Sequence, residues 1–515
     1  MKRVLFLNSA SGLALYVVNV LTAFLLSPIV VCQLGNRDYG VWEILLSVCG
    51  YMGILDLGVS PAVVRFIARG EAVGNKEELN RTFNSSFFCL CFIGVLAAAM
   101  MGTFSCFPHV ILGQGFSGNG HLQAVFLIIG CNLWLEFTGT VFAAYVMGLQ
   151  EHFFVNSVRI GLTVVQGILT YFALTSWGGP GLLWVAGILL GGNLVRYIAL
   201  TLWVLGRTRD IHIRPRYVSL TTLKELYIFG MKSCLLMLAD RIQRQSAPLI
   251  IGHVLGVSQV VFFAIPNRLV GYTKELGLAV GFPLMPYFSS LDARSNPAAT
   301  REAWISLSRC LQFVILPLPI LLFFMGEGFI HRWMGPEYAE QGRWVIRFLA
   351  ISLLIEGMSP NAGGFLVGSG QHGRPAMSLV IISVLGLLPS IIFTQQWGIT
   401  GVGLSLMFLN SLSGLTMWFC ASRVSGVQIG EHFRKTLLPV IVPLTTMSGV
   451  LILSGHLIQQ ATYAELMFHS GLAGIAYLGV LWALALNSPE RGALVALIKR
   501  KAVRRRGGAS TTTAS

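Results

Sequence analysis

Arg241 and Arg244 stand three residues apart in a stretch that is otherwise almost wholly apolar, and Asp240 stands four before Arg244, so one side of a helix can carry all three. Arg268 and Glu275 are seven apart, again on one helical face, with Lys274 beside them. Guanidinium forks hold phosphate oxygens in bidentate pairs and shed water more readily than ammonium groups do. The chemistry these residues suit is therefore capture of an anion, one with phosphate oxygens above all. Within apolar segments the first half of the chain has Glu43, Asp56, Glu136 and Arg196, whereas the second has Lys232, Arg241, Arg244, Arg268, Lys274 and Arg347 against Asp240, Glu275 and Glu356. The second half is the expected positive face. Arg241, Arg244, Arg268, Lys274 and Arg196 are the candidate binding cations, and Asp240, Glu275, Glu136 and Glu356 their charge partners or coupling groups. Pairing of Asp240 with Arg244 or Lys274 with Glu275 purely for packing is the competing expectation, with Lys232 and Arg347 snorkelling from helix ends.

The elements that carry these charges must be membrane helices. Of 515 residues, 54% are hydrophobic and only 11% charged, against about 25% charged in soluble domains. Runs free of Asp, Glu, Lys and Arg extend from Val4 to Asn36, Thr82 to Leu135, Ile160 to Val195, Pro375 to Ser422 and Thr436 to Ala464. Each exceeds the roughly 20 residues that cross a bilayer. The run after Met1-Lys2-Arg3 is too long for a signal peptide and is the first crossing. About fourteen apolar segments can be laid out in this way. Lys and Arg alternate between their connections: with the N-terminus inside, one side holds Arg65, Arg69, Lys76, Arg81, Arg159, Arg207, Arg214, Arg216 and Lys224, while the other holds only Arg37, Arg332 and Arg343. Both termini are thus expected in the cytoplasm. The net charge of +15 is a topology signal, not a nucleic-acid footprint. Nine cysteines without a CxxC pair and ten scattered histidines predict neither disulfides nor a metal site.

The chain repeats itself. Leu34-Gly35 is matched by Leu255-Gly256, Gly148-Leu149-Gln150 by Gly368-Ser369-Gly370-Gln371, and Trp177-Gly178 by Trp397-Gly398, at offsets of 220 to 221. Six segments separate the members of each pair, so the halves run in the same direction, the parallel-repeat plan of some secondary transporters. The predicted fold is an all-α integral membrane protein: two parallel-repeat six-helix lobes, residues 1–210 and 211–425, two C-terminal helices over 426–488, and a basic cytoplasmic tail, 489–515, able to touch anionic headgroups.

The start of the second segment, Leu34-Gly35-Asn36-Arg37-Asp38-Tyr39-Gly40-Val41-Trp42, and its end, Asp56-Leu57-Gly58 through Pro61, Ala62 and Arg65, resemble signatures of the bacterial polysaccharide-biosynthesis flippases. These are the Wzx type of the multidrug/oligosaccharidyl-lipid/polysaccharide exporter superfamily. The resemblance implies two lobes rocking by alternating access and an undecaprenyl-diphosphate-linked oligosaccharide as substrate, carried across the inner membrane for O-antigen, exopolysaccharide or capsule. Partners implied are that substrate, membrane lipids and polysaccharide polymerase machinery, with no nucleic acid and no cofactor. Gly35, Tyr39, Gly40, Asp56, Gly58 and Arg65 are the family-motif positions, and Asp56 and Arg65 are expected to clamp a loop. A multidrug or cation exporter, or a lipid II flippase of the same superfamily, is the alternative; the first segment lacks the acid common in exporters. A membrane polymerase or ligase is disfavoured, because the longest external loop, about Gly326 to Gly342, is short and no GxxxxGK[ST] or nucleophile–base pair occurs.

Overall fold

The computed structural model describes residues 2–113, 120–207, 211–281, 284–293, 296–454, 462–487 and 490–492. These form α-helices α1 (Lys2–Met52), α2 (Val59–Val73), α3 (Lys76–Cys106), α4 (His109–Leu112), α5 (Gly120–Gly148), α6 (His152–Thr175), α7 (Gly181–Arg207), α8 (Leu220–Val254), α9 (Val260–Gly281) and α10 (Leu284–Ala293). The chain continues through α11 (Pro297–Ile315), α12 (Pro317–Trp333), α13 (Pro336–Glu356), α14 (Ala362–Gly368), α15 (Gly373–Leu385), α16 (Leu387–Ser425), α17 (Ile429–His432), α18 (Leu438–Ser454) and α19 (Tyr463–Val480). No strand occurs among the described residues. The all-α membrane fold read from the composition holds.

Nine helical stretches of the described residues are long and apolar enough to cross a bilayer. α8, α9 and α13, which carry Arg241, Arg268 and Arg347, are not among them, so the predicted fourteen are not all crossings of this apolar kind. Two of the nine, Ala10–Asp56 and Gly373–Ser425, run for 47 and 53 residues, about twice what one crossing needs. Each is broken by a glycine: Gly35 (φ 71°) and Gly398 (φ 61°) take left-handed backbone that other residues adopt only at a cost.

The predicted second segment is interrupted as well. After Met52 comes a 3₁₀ turn, Gly53–Asp56, then Leu57 and Gly58 at positive φ, before α2 carries on to Val73. The predicted tenth segment is likewise split between α13 and α14.

The sequence repeat is echoed in the backbone. Gly35 pairs with Gly256 (φ 99°), Gln150 (φ 63°) with Gly370 (φ 70°), and Gly178 (φ 68°) with Gly398. A further pair, Gly113 (φ 85°) and Gly335 (φ 115°), lies 222 apart. Pro28 and Pro248, 220 apart, both sit inside helices. The chain thus turns in the same left-handed way at four matched places.

The chain packs as two compact units: residues 1–272 with 372–413, and residues 273–371 with 414–515. This grouping by contact differs in kind from the division into repeats, which rests on sequence. In the first unit, Phe83 of α3 meets Phe142 and Tyr145 of α5 edge-on, 5.3 and 5.7 Å between ring centres. There α1 meets the 3₁₀ turn Val257–Gln259, and the start of α2 meets α8, with almost no room. A Cβ on Gly40 would sit 2.0 Å from the Val257 carbonyl oxygen, and one on Gly58 2.5 Å from that of Gly230. The second unit centres on Trp304, Phe365, Phe288 and Trp418, with α18 and α19 packed against them.

Candidate functional site

Most of the candidate cations have found acids. Arg244 donates through Nε to Asp240 at 2.6 Å, one helical turn back, as the packing expectation had it. Lys274 lies 2.7 Å from Glu356 on α13 rather than pairing with its neighbour Glu275, which is exposed and has no ion pair among the described residues. The reason is directional: adjacent residues on a helix point about 100° apart, whereas a facing helix can meet Lys274 head-on. Arg347 does not snorkel; it shares Glu327 with Arg343, at 3.0 and 2.8 Å. The Lys232 side chain and the basic tail from residue 493 lie outside the described residues.

Arg268 is the most enclosed of the group. Its guanidinium donates to Glu43 at 2.6 Å and to Ser27 Oγ at 3.2 Å, and lies over the Tyr39 ring, 6.0 Å from its centre. Three parts of the chain build this cluster: the helix before Gly35, the helix after it, and α9. The family-motif residue Tyr39 is almost fully buried against it.

Arg241 and Arg196 remain without an acid in salt-bridge range among the described residues. Arg241, half-buried, runs alongside the 3₁₀ turn, with its guanidinium 3.8 Å from where a Cβ on Gly53 would stand. Arg196 of α7 stacks over the Tyr197 ring at 4.8 Å, and its Nε is buried with no hydrogen-bond partner among the described residues. The exposed Arg159 of α6 is in electrostatic reach of Arg196, and Glu136 of α5 of both Arg159 and Cys49. Arg159 and Arg196 thus gather with Glu136 around Tyr197, and Arg159 is the member that the sequence reading placed only as a loop charge. Its position seven residues into α6 was legible; the company it keeps on α5 and α7 was not.

The remaining motif residues act on the backbone. Asp56 accepts from the Ser60 amide at 3.2 Å and from its hydroxyl at 3.0 Å, capping the turn into α2, so it does not pair with Arg65. Arg65 instead lies over the Phe229 ring of α8 at 4.3 Å. Asp56 and Arg65 thus act separately, one on the turn into α2 and the other on α8. Gly40 and Gly58 are the close-approach points already described, and Gly35 the turn. No group of three or more His, Cys, Asp or Glu able to hold a metal occurs among the described residues.

The model of the polysaccharide biosynthesis protein family matches residues 29–342, from just before the Gly35 turn to α13. The chain belongs to that family. A curated relative of this polysaccharide biosynthesis protein is the Shigella flexneri "Putative O-antigen transporter", 21% identical over 432 residues, which are 82% of this chain and 98% of the relative. Among solved structures, the lipid II flippase MurJ in an inward closed conformation superimposes with a TM-score of 0.71 at 13% identity, over 92% of this chain and 98% of that one. A multidrug resistance MATE transporter of the MOP superfamily, inward-facing, follows at 0.64 and 16%, over 80% and 94%. At such identities the two likenesses establish the fold: a multi-pass membrane protein built as transporters and flippases are built.

Proposed function

We propose that the chain is a flippase that moves an undecaprenyl-diphosphate-linked oligosaccharide across the bacterial cytoplasmic membrane for surface polysaccharide synthesis, by alternating access. The observation that carries the reading is the set of guanidinium groups left over once the acids are paired. Arg241 lies seventeen residues beyond Lys224, about 25 Å along α8, and Arg196 eleven before the end of α7, about 16 Å from it. Charges at such depth face a partner or water, not lipid. Arg196 with Arg159, and Arg241 beside the 3₁₀ turn, offer hydrated cations to a diphosphate, and the exposed Glu136 leaves room for hydrogen bonds to sugar hydroxyls. The O-antigen transporter named above supports the substrate class.

A second reading, lipid II as cargo, is favoured by the breadth of the likeness to the lipid II flippase; its carrier lipid and diphosphate are the same chemistry. Deletion separates the readings. Loss of the chain should strand lipid-linked oligosaccharide on the cytoplasmic leaflet and abolish a surface polysaccharide while growth continues. Lysis instead points to lipid II. Unchanged polysaccharide with sensitivity to cationic drugs points to an exporter.

A further inference from the structure

A polar layer crosses the core of the second unit. On α11, Trp304, Ser308 and Gln312 recur every four residues along one face, all fully buried. Opposite them is the unwound stretch 357–361 between α13 and α14. Ser308 Oγ donates to Asn361 Oδ1 at 2.7 Å, and Gln312 Nε2 to the Met358 carbonyl at 2.5 Å. At the Trp304 end lies the buried ring of His432, 4.3 Å away between centres, its Nδ1 accepting from Trp418 Nε1 at 3.1 Å. A π-helical turn, Phe433–Leu437, follows immediately.

Five atoms of this layer are sealed from solvent without a hydrogen-bond partner among the described residues: Trp304 Nε1, His432 Nε2, Asn361 Nδ2, Gln312 Oε1 and Ser359 Oγ. A neutral imidazole whose Nδ1 accepts carries its proton on Nε2. The set is therefore three N–H donors, one carbonyl acceptor and one hydroxyl able to do either. Buried polar groups are seldom left unpaired. Three donors repel a cation, and the amide oxygen repels an anion. Water, which donates and accepts at once, matches the set. Unwound backbone at membrane depth, moreover, is tolerated where it is buried in protein or lined by water.

The breaks in the helices gather on this layer. α11 ends at Ile315 and Pro317 opens α12, while a Cβ on Gly357 would sit 2.8 Å from Leu316 Cδ2, so two interrupted helices abut at their interruptions. The π-helical turn adds a third. Helices bend at prolines, at π-bulges and where water enters the ladder, and here a proline and a π-helical turn meet within about three turns of α11. We infer that the layer binds ordered water and forms a hydrated hinge in the second unit, about which α14 and the π-helical turn move. Its use in a transport cycle rests on the flippase reading; its hydration does not.

Hydrogen–deuterium exchange of the full-length protein in nanodiscs, without substrate, tests the inference. The amides of Gly357 and Met358, bonded to Leu353 and Ile355 at 2.9 and 3.1 Å, should exchange at least about tenfold faster than those of residues 345–353, and the π-helical turn likewise. Gln312→Leu should slow both segments. Ser359→Ala should slow the first, and it decides the matter should the leucine variant fail to fold. Protection equal to that of the flanking turns, or exchange indifferent to a folded variant, overturns the hinge. Polysaccharide complementation in the deletion strain is read separately, so a dry layer in a working flippase and a wet layer in a protein of other function are told apart.

Discussion

Arg241 and Arg268 show how one charge type takes two roles according to its neighbours. Arg268 is held by Glu43, Ser27 and the Tyr39 ring, so it is a joint. Removing one partner of such a buried pair leaves the other uncompensated, typically at a cost of about 3 to 5 kcal/mol. Glu43→Gln should therefore lower the thermal unfolding midpoint in detergent, with Arg268→Met close behind. The double variant should lose less than the two added together; strict additivity would mean that the pair does not interact. Arg241, without an acid, should behave in the opposite way. Arg241→Ala is expected to abolish polysaccharide complementation at unchanged protein level, and Arg241→Lys to retain part of it, since charge survives but the planar fork is lost. Complementation by the alanine variant, or a drop in folded protein, would make Arg241 structural.

At the scale of elements, what was legible depended on how far apart the interacting residues lie in the chain. Asp240 with Arg244 could be read because one helical turn joins them, and the helix-breaking Gly35, Gly178, Gly256 and Gly398 because Leu-Gly and Trp-Gly recur around them. Gly113 and Gly335 escaped notice, having Leu112 and Gln114 on one side of the comparison and Met334 and Pro336 on the other. The Glu43–Arg268 joint spans 225 residues and no periodicity announces it. The midway unwinding of the second and tenth segments did have a local signal, in Asp56-Leu57-Gly58 and in Gly357-Met358-Ser359-Pro360-Asn361, which a count of apolar spans passes over. The close approach at Gly40 and Gly58 gives a direct test of how α1 packs on the turn after α8, and the start of α2 on α8. A methyl at either place meets backbone, not a side chain that can turn aside. Overpacking of this kind costs about 1 to 3 kcal/mol or more, so Gly40→Ala and Gly58→Ala should each reduce monodisperse protein in fluorescence-detected size exclusion. Gly74→Ala, with left-handed backbone but open space around it, should do so less.

For the whole molecule the remaining expectation is topology. Breaks at Gly35 and Gly398 divide two of the nine apolar stretches into two passes each. The charged helices α8, α9 with α10, and α13 with α14 have the length for three more, and several of their charges are paired: Arg244 with Asp240, Arg268 with Glu43 and Lys274 with Glu356. Charged residues need not veto a crossing: on insertion scales each costs roughly 2.5 to 3.5 kcal/mol at the centre of a helix, and less once paired or hydrated. The expectation is then fourteen passes, an even number, with Lys2 and Arg3 expected to hold the N-terminus in the cytoplasm. Each connection then has a predicted side. Alkaline phosphatase fused after Gly179 or Gly335 should be active, as those turns face outward, whereas fusions after Ser219, Gly426 and Asn487 should be inactive and fluoresce when green fluorescent protein takes their place. The fusions after Ser219 and Gly426 are the sharpest, because they bracket α8 to α16 and one uncrossed charged helix would reverse the sign of every connection after it, Gly426 included. An active phosphatase at Gly426 together with an inactive one at Ser219 would show an odd number of passes over that stretch, and neither the six-helix repeat nor a cytoplasmic C-terminus would survive it.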